Sequence, residues 1–346
     1  MTLCACRTVA SVFIPADDQR FTYMGRVSFD QVEGAVAWTY PGVQIQAVFT
    51  GTSISMKTNP GSGFYIINID EQQPFKVECK KEEGVMTLAT GLANRDHRLT
   101  VTYAIEGHAK KPVFYGLYLD DGCTLKDKPV LPERKIEFIG NSITCGYGIE
   151  GNGNEKSFYY RLQNFCLTYA YLTAKALNAQ YHVVARSGIG FYRNYMGKIP
   201  DELMPKIYPH TMYVKKGELW DFSRYCPDVV CVALGTNDTT GKYTLSGLID
   251  GYKRFLNMVR EQYSDAKIVL LSGPMLTTKR RDDLRTAQET VIDYFREKGD
   301  SLFYRFEFQE SDKSLGMGSQ GHPNAAHHTA MAEELIPYLR QLMNWQ

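Results

Sequence analysis

The hydrophobic pattern divides this chain of 346 residues into two halves of different character. From about residue 13 to residue 121, short segments alternate apolar and polar side chains, as half-buried strands do, and turn residues separate them. Beyond about residue 135, short apolar runs instead alternate with longer amphipathic segments. The first half therefore predicts an all-β sandwich, and the second half predicts a parallel sheet covered by helices.

Five apolar runs in the second half predict strands at about 135–139, 181–185, 228–234, 267–271 and 302–308. Helical periodicity predicts helices at about 157–177, 245–263, 281–298 and 325–343. Strands that alternate with helices in this way favour a five-stranded parallel sheet that is doubly wound, with helices on both faces.

A polar stretch that contains Pro129 and Pro132 separates the two patterns and predicts a stiff connector. We therefore predict a sandwich domain over residues 13–128, a linker over 129–134 and an α/β domain over 135–346. Residues 1–12 form a tail with one arginine and a weakly apolar middle. This tail is a poor signal peptide, and we interpret it as a tail or the remnant of a signal peptide.

Composition excludes several classes of partner. Lys and Arg number 39 against 38 Asp and Glu, a net charge of +1, so no basic surface for nucleic acid is predicted. No apolar run approaches the roughly 20 residues of a membrane-spanning helix, so no membrane partner is predicted either. The eight cysteines show no zinc-ligand spacing, and their usage does not indicate a compartment. Nothing in the sequence indicates an oligomeric state.

Candidate chemistry lies in four loops. Three of them, 140–142, 186–190 and 235–238, follow predicted strands, and the fourth, 321–324, precedes the last predicted helix. The carboxyl ends of parallel strands lie along one edge of a sheet, where ligands bind in open α/β folds. We therefore expect these loops to converge there, although they are distant in sequence.

The side chains in these loops match the needs of acyl transfer. Ser142 offers a hydroxyl that becomes a nucleophile when an imidazole accepts its proton, and His322 offers that base. The oxyanion that develops requires fixed donors, which the N–H groups of Ser142 and Gly188 and the amide of Asn237 can supply.

Each residue also has an ordinary structural interpretation. The segment that contains Asn237 is compatible with a simple turn, and a single histidine before a helix is often a capping or packing residue. His327 and His328 are adjacent and point about 100° apart on a helix, which disfavours a shared metal site. Cys145 has apolar neighbours and is interpreted as a structural thiol.

The order and spacing of the four loops resemble those of SGNH (GDSL-type) hydrolases, whose four blocks carry Ser, Gly, Asn and His. More narrowly, the chain resembles carbohydrate esterase family 2, acetyl esterases in which a jelly-roll sandwich precedes the SGNH domain. The resemblance is carried by residues 134–140, 142–148, 190–195, 220–225 and 235–238, and by 13–18 and 40–43 in the first half. It implies an amino-terminal jelly-roll sandwich and a flavodoxin-like α/β/α hydrolase domain.

By position, the resemblance makes Ser142 the nucleophile, His322 the general base, and Gly188 and Asn237 the oxyanion hole together with the Ser142 N–H. It implies a serine esterase without metal or organic cofactor that removes O-acetyl groups from plant cell-wall polysaccharides or oligosaccharides such as xylan and glucomannan. It also implies an extracellular or periplasmic location, although the amino terminus shows no clear signal peptide.

Two positions depart from the family pattern. Asn141 stands where the acid of the Gly-Asp-Ser motif is usual, and Ser319 stands where an acid usually precedes the histidine by three residues. Without that acid, the backbone carbonyl or hydroxyl of Ser319 must orient the imidazole, unless Glu310 or Asp312 reaches it from the preceding loop. We favour a Ser–His dyad.

The aromatic residues Phe191, Tyr192 and Trp220 are candidates for stacking on sugar rings, and packing is their ordinary alternative. Two other functions stay open. One is a non-catalytic carbohydrate-binding protein on a degraded hydrolase scaffold, which Asn141 and Ser319 suggest. The other is an esterase or thioesterase of other small acyl substrates or lipids. The sandwich either binds glycan or merely supports the second domain.

Overall fold

The computed structural model describes residues 11–197, 202–213, 217–310 and 312–346. The predicted tail lies outside these ranges except for its last two residues. The first half forms ten strands, β1 (Ser11–Pro15), β2 (Thr22–Met24), β3 (Val36–Ala37), β4 (Gln44–Gly51), β5 (Ile54–Thr58), β6 (Gly63–Ile69), β7 (Phe75–Cys79), β8 (Val85–Ala89), β9 (Arg95–Tyr103) and β10 (Val113–Asp120).

These strands form two antiparallel sheets. One has the order β1-β10-β5-β8 with β3 also paired to β10, and the other has the order β2-β4-β9-β6-β7. Alternate residues of β4 and β5 are buried, as the period of two in the sequence predicts. The inward-facing side chains of both sheets form a single apolar core that includes Trp38, Phe49 and Phe114. The sandwich prediction is confirmed.

The second half contains five parallel strands, β11 (Arg134–Gly140), β12 (Ala179–Ala185), β13 (Val229–Ala233), β14 (Lys267–Ser272) and β15 (Phe303–Glu307). Their order in the sheet is β12-β11-β13-β14-β15, so β11 and β13 lie in its interior. Six helices accompany them, α1 (Ser142–Cys145), α2 (Tyr169–Ala176), α3 (Met204–Ile207), α4 (Leu245–Gln262), α5 (Thr278–Glu297) and α6 (Ala325–Met343).

The helices cover both faces of the sheet. Ile136 and Phe138 of β11 lie in one core with α2 and α6, whereas Ile139 lies in the opposite core with α3, α4 and α5. Because both faces are covered, successive residues of β11 from Ile136 to Gly140 are all buried, rather than alternate ones. The predicted α/β/α architecture is confirmed.

One predicted helix was wrong over most of its length. The pattern over 157–177 predicted a single helix, but α2 begins only at Tyr169. The side chain of Asn164 caps a short 3₁₀ turn by accepting from the Cys166 N–H, and the side chain of Thr168 accepts from the Tyr171 N–H at the start of α2. Such capping side chains stop and restart the helix, although the apolar spacing continues through them.

A buried salt bridge joins the two domains. Arg26, from the loop after β2, donates through Nη2 to Oε1 of Glu137 on β11 at 3.0 Å, and neither side chain is exposed to water. The other carboxylate oxygen of Glu137 accepts from the Tyr208 hydroxyl at 2.7 Å. Arg26 also donates to the carbonyl groups of Tyr208 and His210. Both carboxylate oxygens of Glu137 and both terminal nitrogens of Arg26 are therefore hydrogen-bonded, whereas the buried Nε of Arg26 has no partner among the described residues. Partners of this kind are what a stable buried pair requires.

We expect Arg26→Met to lower the free energy of unfolding by about 3–5 kcal/mol, because it leaves the charge of Glu137 buried and unpaired. The double variant Arg26→Met/Glu137→Met should recover part of this loss, because it removes both charges. Urea unfolding followed by fluorescence measures the difference, with Arg254→Met on the exposed side of α4 as the control. A single variant no less stable than this control would show that the pair contributes nothing.

Candidate active site

The sheet register sets three loops at the same level. Gly140, the last residue of β11, pairs with Ala185 of β12 on one side and with Ala233 of β13 on the other. The loops that carry Ser142, Gly188 and Asn237 therefore leave adjacent strands side by side, as the sequence predicts. Their common starting level places all three at the carboxyl edge of the sheet.

Ser142 is the first residue of α1, two positions after the end of β11. Asn141 is the N-cap of this helix, and its Oδ1 accepts from the Ile143 N–H at 3.0 Å. The neutral amide thus performs the capping role that a carboxylate would perform in the usual Gly-Asp-Ser motif. Ser142 is held at a tight strand-to-helix junction and keeps only 8% of its surface exposed.

His322 contacts this serine directly. Its Nε2 lies 2.9 Å from Oγ of Ser142, within hydrogen-bonding distance. The loop that carries His322 is fixed against the serine loop, because the Ser319 N–H donates to the carbonyl of Gly148 at 2.9 Å. Gly148 has φ +61°, and a Cβ there would lie 2.5 Å from the Ser319 side chain, so this approach requires glycine.

A backbone carbonyl orients the imidazole. Nδ1 of His322 lies 3.3 Å from the backbone carbonyl oxygen of Ser319. The side-chain hydroxyl of Ser319 points elsewhere and donates to Oε2 of Glu155 at 3.2 Å. Within the described residues no carboxylate is hydrogen-bonded to His322. Glu310 pairs with Arg281 at 3.7 Å, and Asp312 accepts from the Ser314 N–H.

The electrostatics of His322 follow from this environment. Burial lowers its pKa to about 4, and the hydrogen bonds to backbone carbonyls oppose the shift only in part. The imidazole is therefore neutral at pH 7, which is the form that accepts a proton from a hydroxyl. No ionised acid counteracts the effect of burial, in contrast to a Ser-His-Asp triad.

Gly188 and Asn237 lie in loops that are bonded to each other. Gly188 has φ +79°, a left-handed conformation that favours glycine. The Asn237 amide nitrogen donates to the carbonyl of Ile189 at 2.8 Å and keeps its second hydrogen for another acceptor. The amide predicted to stabilise an oxyanion is therefore fixed to the loop that carries Gly188.

Asp238 links the same two loops more extensively. Its Oδ1 accepts the N–H groups of Tyr192 and Arg193 at 2.7 and 3.0 Å, and its Oδ2 accepts the Gly235 N–H at 3.1 Å. Burial raises the pKa of Asp238 to about 6, so the carboxylate is still ionised at neutral pH. Asp238 lies in a candidate loop, but the sequence predicts no role for it, because Tyr192 and Arg193 lie some 45 residues away.

The sandwich also reaches these loops. Glu106, which follows β9 and is buried, accepts the N–H of Ser187 through Oε1 at 2.6 Å and its hydroxyl through Oε2 at 2.5 Å. Gln163 donates to the same carboxylate at 3.3 Å and to the carbonyl of Cys145 at 3.1 Å. The residue before Gly188 is thus held by a side chain of the first domain, a contact that the sequence analysis did not anticipate.

The aromatic residues singled out from the sequence lie in packing positions. Trp220 is 4% exposed and lies over Arg26, and Phe191 stacks on Tyr252 with 3.9 Å between ring centroids. The ring of Tyr192 lies against Gly247 at the start of α4. Phe191 and Trp220 are buried and Tyr192 is partly buried, so their contacts match the packing alternative.

Other aromatic rings surround His322 and Gly188 instead. Tyr147 lies between His322 and Phe158, with ring centroids 4.4 and 4.7 Å away. Tyr195 donates its N–H to the carbonyl of Gly188 at 2.9 Å, and 52% of its surface is exposed. Both residues belong to the motif segments quoted above, but the sequence pattern did not distinguish them from core aromatics.

The remaining candidates have structural roles. His328 is buried and accepts the Tyr169 N–H through Nδ1 at 3.2 Å, and burial lowers its pKa to about 3. Burial raises the pKa of the Cys145 thiol.

Among the described residues, no group of three His, Cys, Asp or Glu side chains is placed to hold a metal ion. No helix in the described ranges is long and apolar enough to span a membrane.

Two family models match the chain, one in each half. Residues 23–129 match the carbohydrate esterase 2 N-terminal domain, and residues 138–330 match the GDSL-like lipase/acylhydrolase family. The two matches meet near the junction between the sandwich and the parallel sheet.

Relatives agree with these matches. The acetylxylan esterase/glucomannan deacetylase of Cellvibrio japonicus is 30% identical over 354 residues, covering 99% of this chain and 96% of that protein. The cellulase/esterase CelE of Acetivibrio thermocellus is 35% identical over 333 residues, which are 95% of this chain. The chain spans 40% of the length of CelE.

Solved structures show the same architecture. A family two carbohydrate esterase from Clostridium thermocellum, in complex with cellohexaose, has a TM-score of 0.87 and 34% identity, covering 94% of this chain and 100% of that chain. A family two carbohydrate esterase from Cellvibrio japonicus has a TM-score of 0.87 and 27% identity, covering 97% of this chain and 99% of that chain. The family models, the relatives and the solved structures agree, and the chain belongs to carbohydrate esterase family 2, with a GDSL-like hydrolase domain in its second half.

Proposed function

We propose that this esterase removes O-acetyl groups from plant cell-wall polysaccharides or oligosaccharides such as xylan and glucomannan, with Ser142 as nucleophile and His322 as general base. The observation that carries the proposal is the 2.9 Å contact between His322 Nε2 and Ser142 Oγ at the end of β11. Relatives named for acetylxylan and glucomannan support the substrate class. Because such polymers lie outside cells, we also propose that the enzyme acts there.

The proposed reaction has two halves. His322 accepts the hydroxyl proton as Ser142 Oγ attacks the acetyl carbonyl, and the N–H groups of Ser142 and Gly188 with the Asn237 amide stabilise the oxyanion. The imidazolium then protonates the leaving sugar oxygen, which leaves an acetyl group on Ser142. Water, deprotonated by His322, releases acetate and restores the serine. Tyr195 supports a contact with the sugar, because its N–H donates to the Gly188 carbonyl and its side chain is exposed.

Replacing Ser142 by alanine tests the nucleophile. We expect acetate release from acetylated xylan and glucomannan to fall by about 10⁴–10⁶-fold, because the remaining groups cannot form the acyl-enzyme. A fluorophosphonate probe should label Ser142 in the wild type, and mass spectrometry of the peptide locates the adduct. Ser264→Ala, at an exposed position, serves as the control and should retain activity and labelling. A folded wild-type protein that gives no adduct on Ser142 would overturn the proposal.

The dyad is tested by removing both nearby acids. We expect Glu310→Gln/Asp312→Asn to keep kcat within about three-fold of the wild type, since neither carboxylate is hydrogen-bonded to His322. The pH profile of kcat/KM gives a second readout. The base must be neutral, so the limb due to His322 should appear only as pH approaches about 4, below the ordinary histidine pKa of about 6.5, whereas a limb near pH 6 belongs to Asp238.

The dyad proposal fails if the double variant folds, as judged by its circular dichroism, and yet loses turnover of an acetyl ester. It also fails if the acidic limb of the profile moves by more than a pH unit on removal of the two acids, because that shift would show a carboxylate acting on the imidazole.

Replacing Asp238 by asparagine tests the link between the oxyanion loops. The new amide nitrogen would face either the Gly235 N–H or the N–H groups of Tyr192 and Arg193. At least one buried donor then loses its acceptor, at a cost of about 1–3 kcal/mol. We expect a lower melting temperature and about 10²-fold lower kcat, because Asn237 and Gly188 lose their relative placement. Asp265→Asn, at an exposed position, is the control. An unchanged kcat in the Asp238 variant would show that these hydrogen bonds between the loops are not needed for catalysis.

A further inference from the structure

A second cleft adjoins the loops that carry Gly188 and Asn237. Its volume is about 780 Å³, and its walls come from three places: the segment of Tyr195 and Met196, the loop that follows Asn237, and the first turn of α5. Tyr195 connects the cleft to the first of these loops, because its N–H donates to the carbonyl of Gly188. The cleft is therefore bordered by the segments that directly follow the candidate oxyanion loops.

The cleft is positively charged. Among the described residues, its lining contains the cations Lys242, Lys279 and Arg280 and a single carboxylate, Asp283. That carboxylate is already engaged, because its Oδ2 accepts from both the Lys279 ammonium and the Tyr243 hydroxyl at 2.5 Å. It does not neutralise Arg280 as well.

Arg280 is half-buried and has no acidic partner in the described part of the chain. Its Nε donates to Oγ1 of Thr239 at 3.1 Å and its Nη2 donates to the carbonyl of Thr236 at 2.6 Å, which leaves Nη1 without a protein acceptor. Burial lowers its pKa, so the surroundings disfavour the charge. Its position in the first turn of α5 is also unfavourable for a cation, because the helix dipole is positive there.

An anion from outside the chain would stabilise this half-buried guanidinium, whose protein acceptors are neutral. Resting on the esterase function proposed above, we propose that this cleft binds the carboxylate of a uronic acid residue in the acetylated oligosaccharide, with Arg280 as its partner. The planar guanidinium matches a carboxylate in shape and charge, and Lys242 adds attraction at the rim. Arg280 bonds to the residue before Asn237, so the uronic acid lies in the same substrate chain, near the acetylated sugar.

The experiment compares two acetylated xylo-oligosaccharides that are matched in length and acetylation, one neutral and one with a glucuronic acid substituent. We expect the wild type to show about ten-fold higher kcat/KM on the acidic substrate, and this ratio should fall as NaCl rises from about 20 to 500 mM. Arg280→Gln should bring the ratio close to one. Lys242→Gln should reduce it about two-fold, and Arg254→Gln on α4 should leave it unchanged.

Arg280 also bonds to the loop that carries Asn237, and loss of those bonds should lower kcat/KM for both substrates equally. The ratio between the substrates therefore reports only recognition of the charge. A wild-type ratio near one, or an Arg280→Gln variant that keeps the wild-type ratio, overturns the inference. Calorimetric binding of the two oligosaccharides to the Ser142→Ala protein tests the cleft without turnover. Preferential binding of the acidic chain with no acetate release from the wild type would uphold the cleft and refute the esterase proposal. Acetate release without such preference would do the reverse.

Discussion

The salt bridge between Arg26 and Glu137 is the interaction on which the rest of the structure depends. Glu137 lies on β11, three residues before Gly140, so the strand that leads to Ser142 is fixed from the side by the first domain. A buried ion pair needs further hydrogen bonds to offset the loss of water, and here a hydroxyl and two carbonyl groups supply them. The sandwich and the sheet therefore behave as one body around the candidate active site.

Buried carboxylates repeat this principle closer to the serine. Asp238 accepts three N–H groups from two loops, and Glu106 accepts the N–H and hydroxyl of Ser187. Each oxygen thus replaces water as the acceptor for backbone that would otherwise be unsatisfied. Donors fixed in this way need no rearrangement when charge develops nearby, which is the physical basis of electrostatic preorganisation. The low pKa of His322 belongs to the same arrangement, because a water-poor site keeps the imidazole neutral.

Much of this architecture is predictable from the sequence, because it depends on local pattern. Apolar β-branched runs mark the parallel strands, and Ser142, Gly188 and Asn237 each follow the end of one of them, whereas His322 precedes the last helix. Features that depend on long-range partners were not predictable. Glu106 follows an ordinary strand, and only the packing of the two domains brings it to Ser187. Trp220 was interpreted as a candidate for sugar stacking, but its ring covers the buried guanidinium of Arg26. The helix predicted over 157–177 was wrong for a local reason. The side chains of Asn164 and Thr168 bond to the backbone and interrupt the helix, although the apolar spacing continues.

The contact between Glu106 and Ser187 has a consequence for how such an enzyme can be recombined. A sandwich is often regarded as a module that can be exchanged for another without affecting its neighbour. Here the exchange would deprive a loop of the second domain of the acceptor for its N–H and its hydroxyl. A cut between the two halves near residue 130 would therefore separate Ser187 from the carboxylate that holds it.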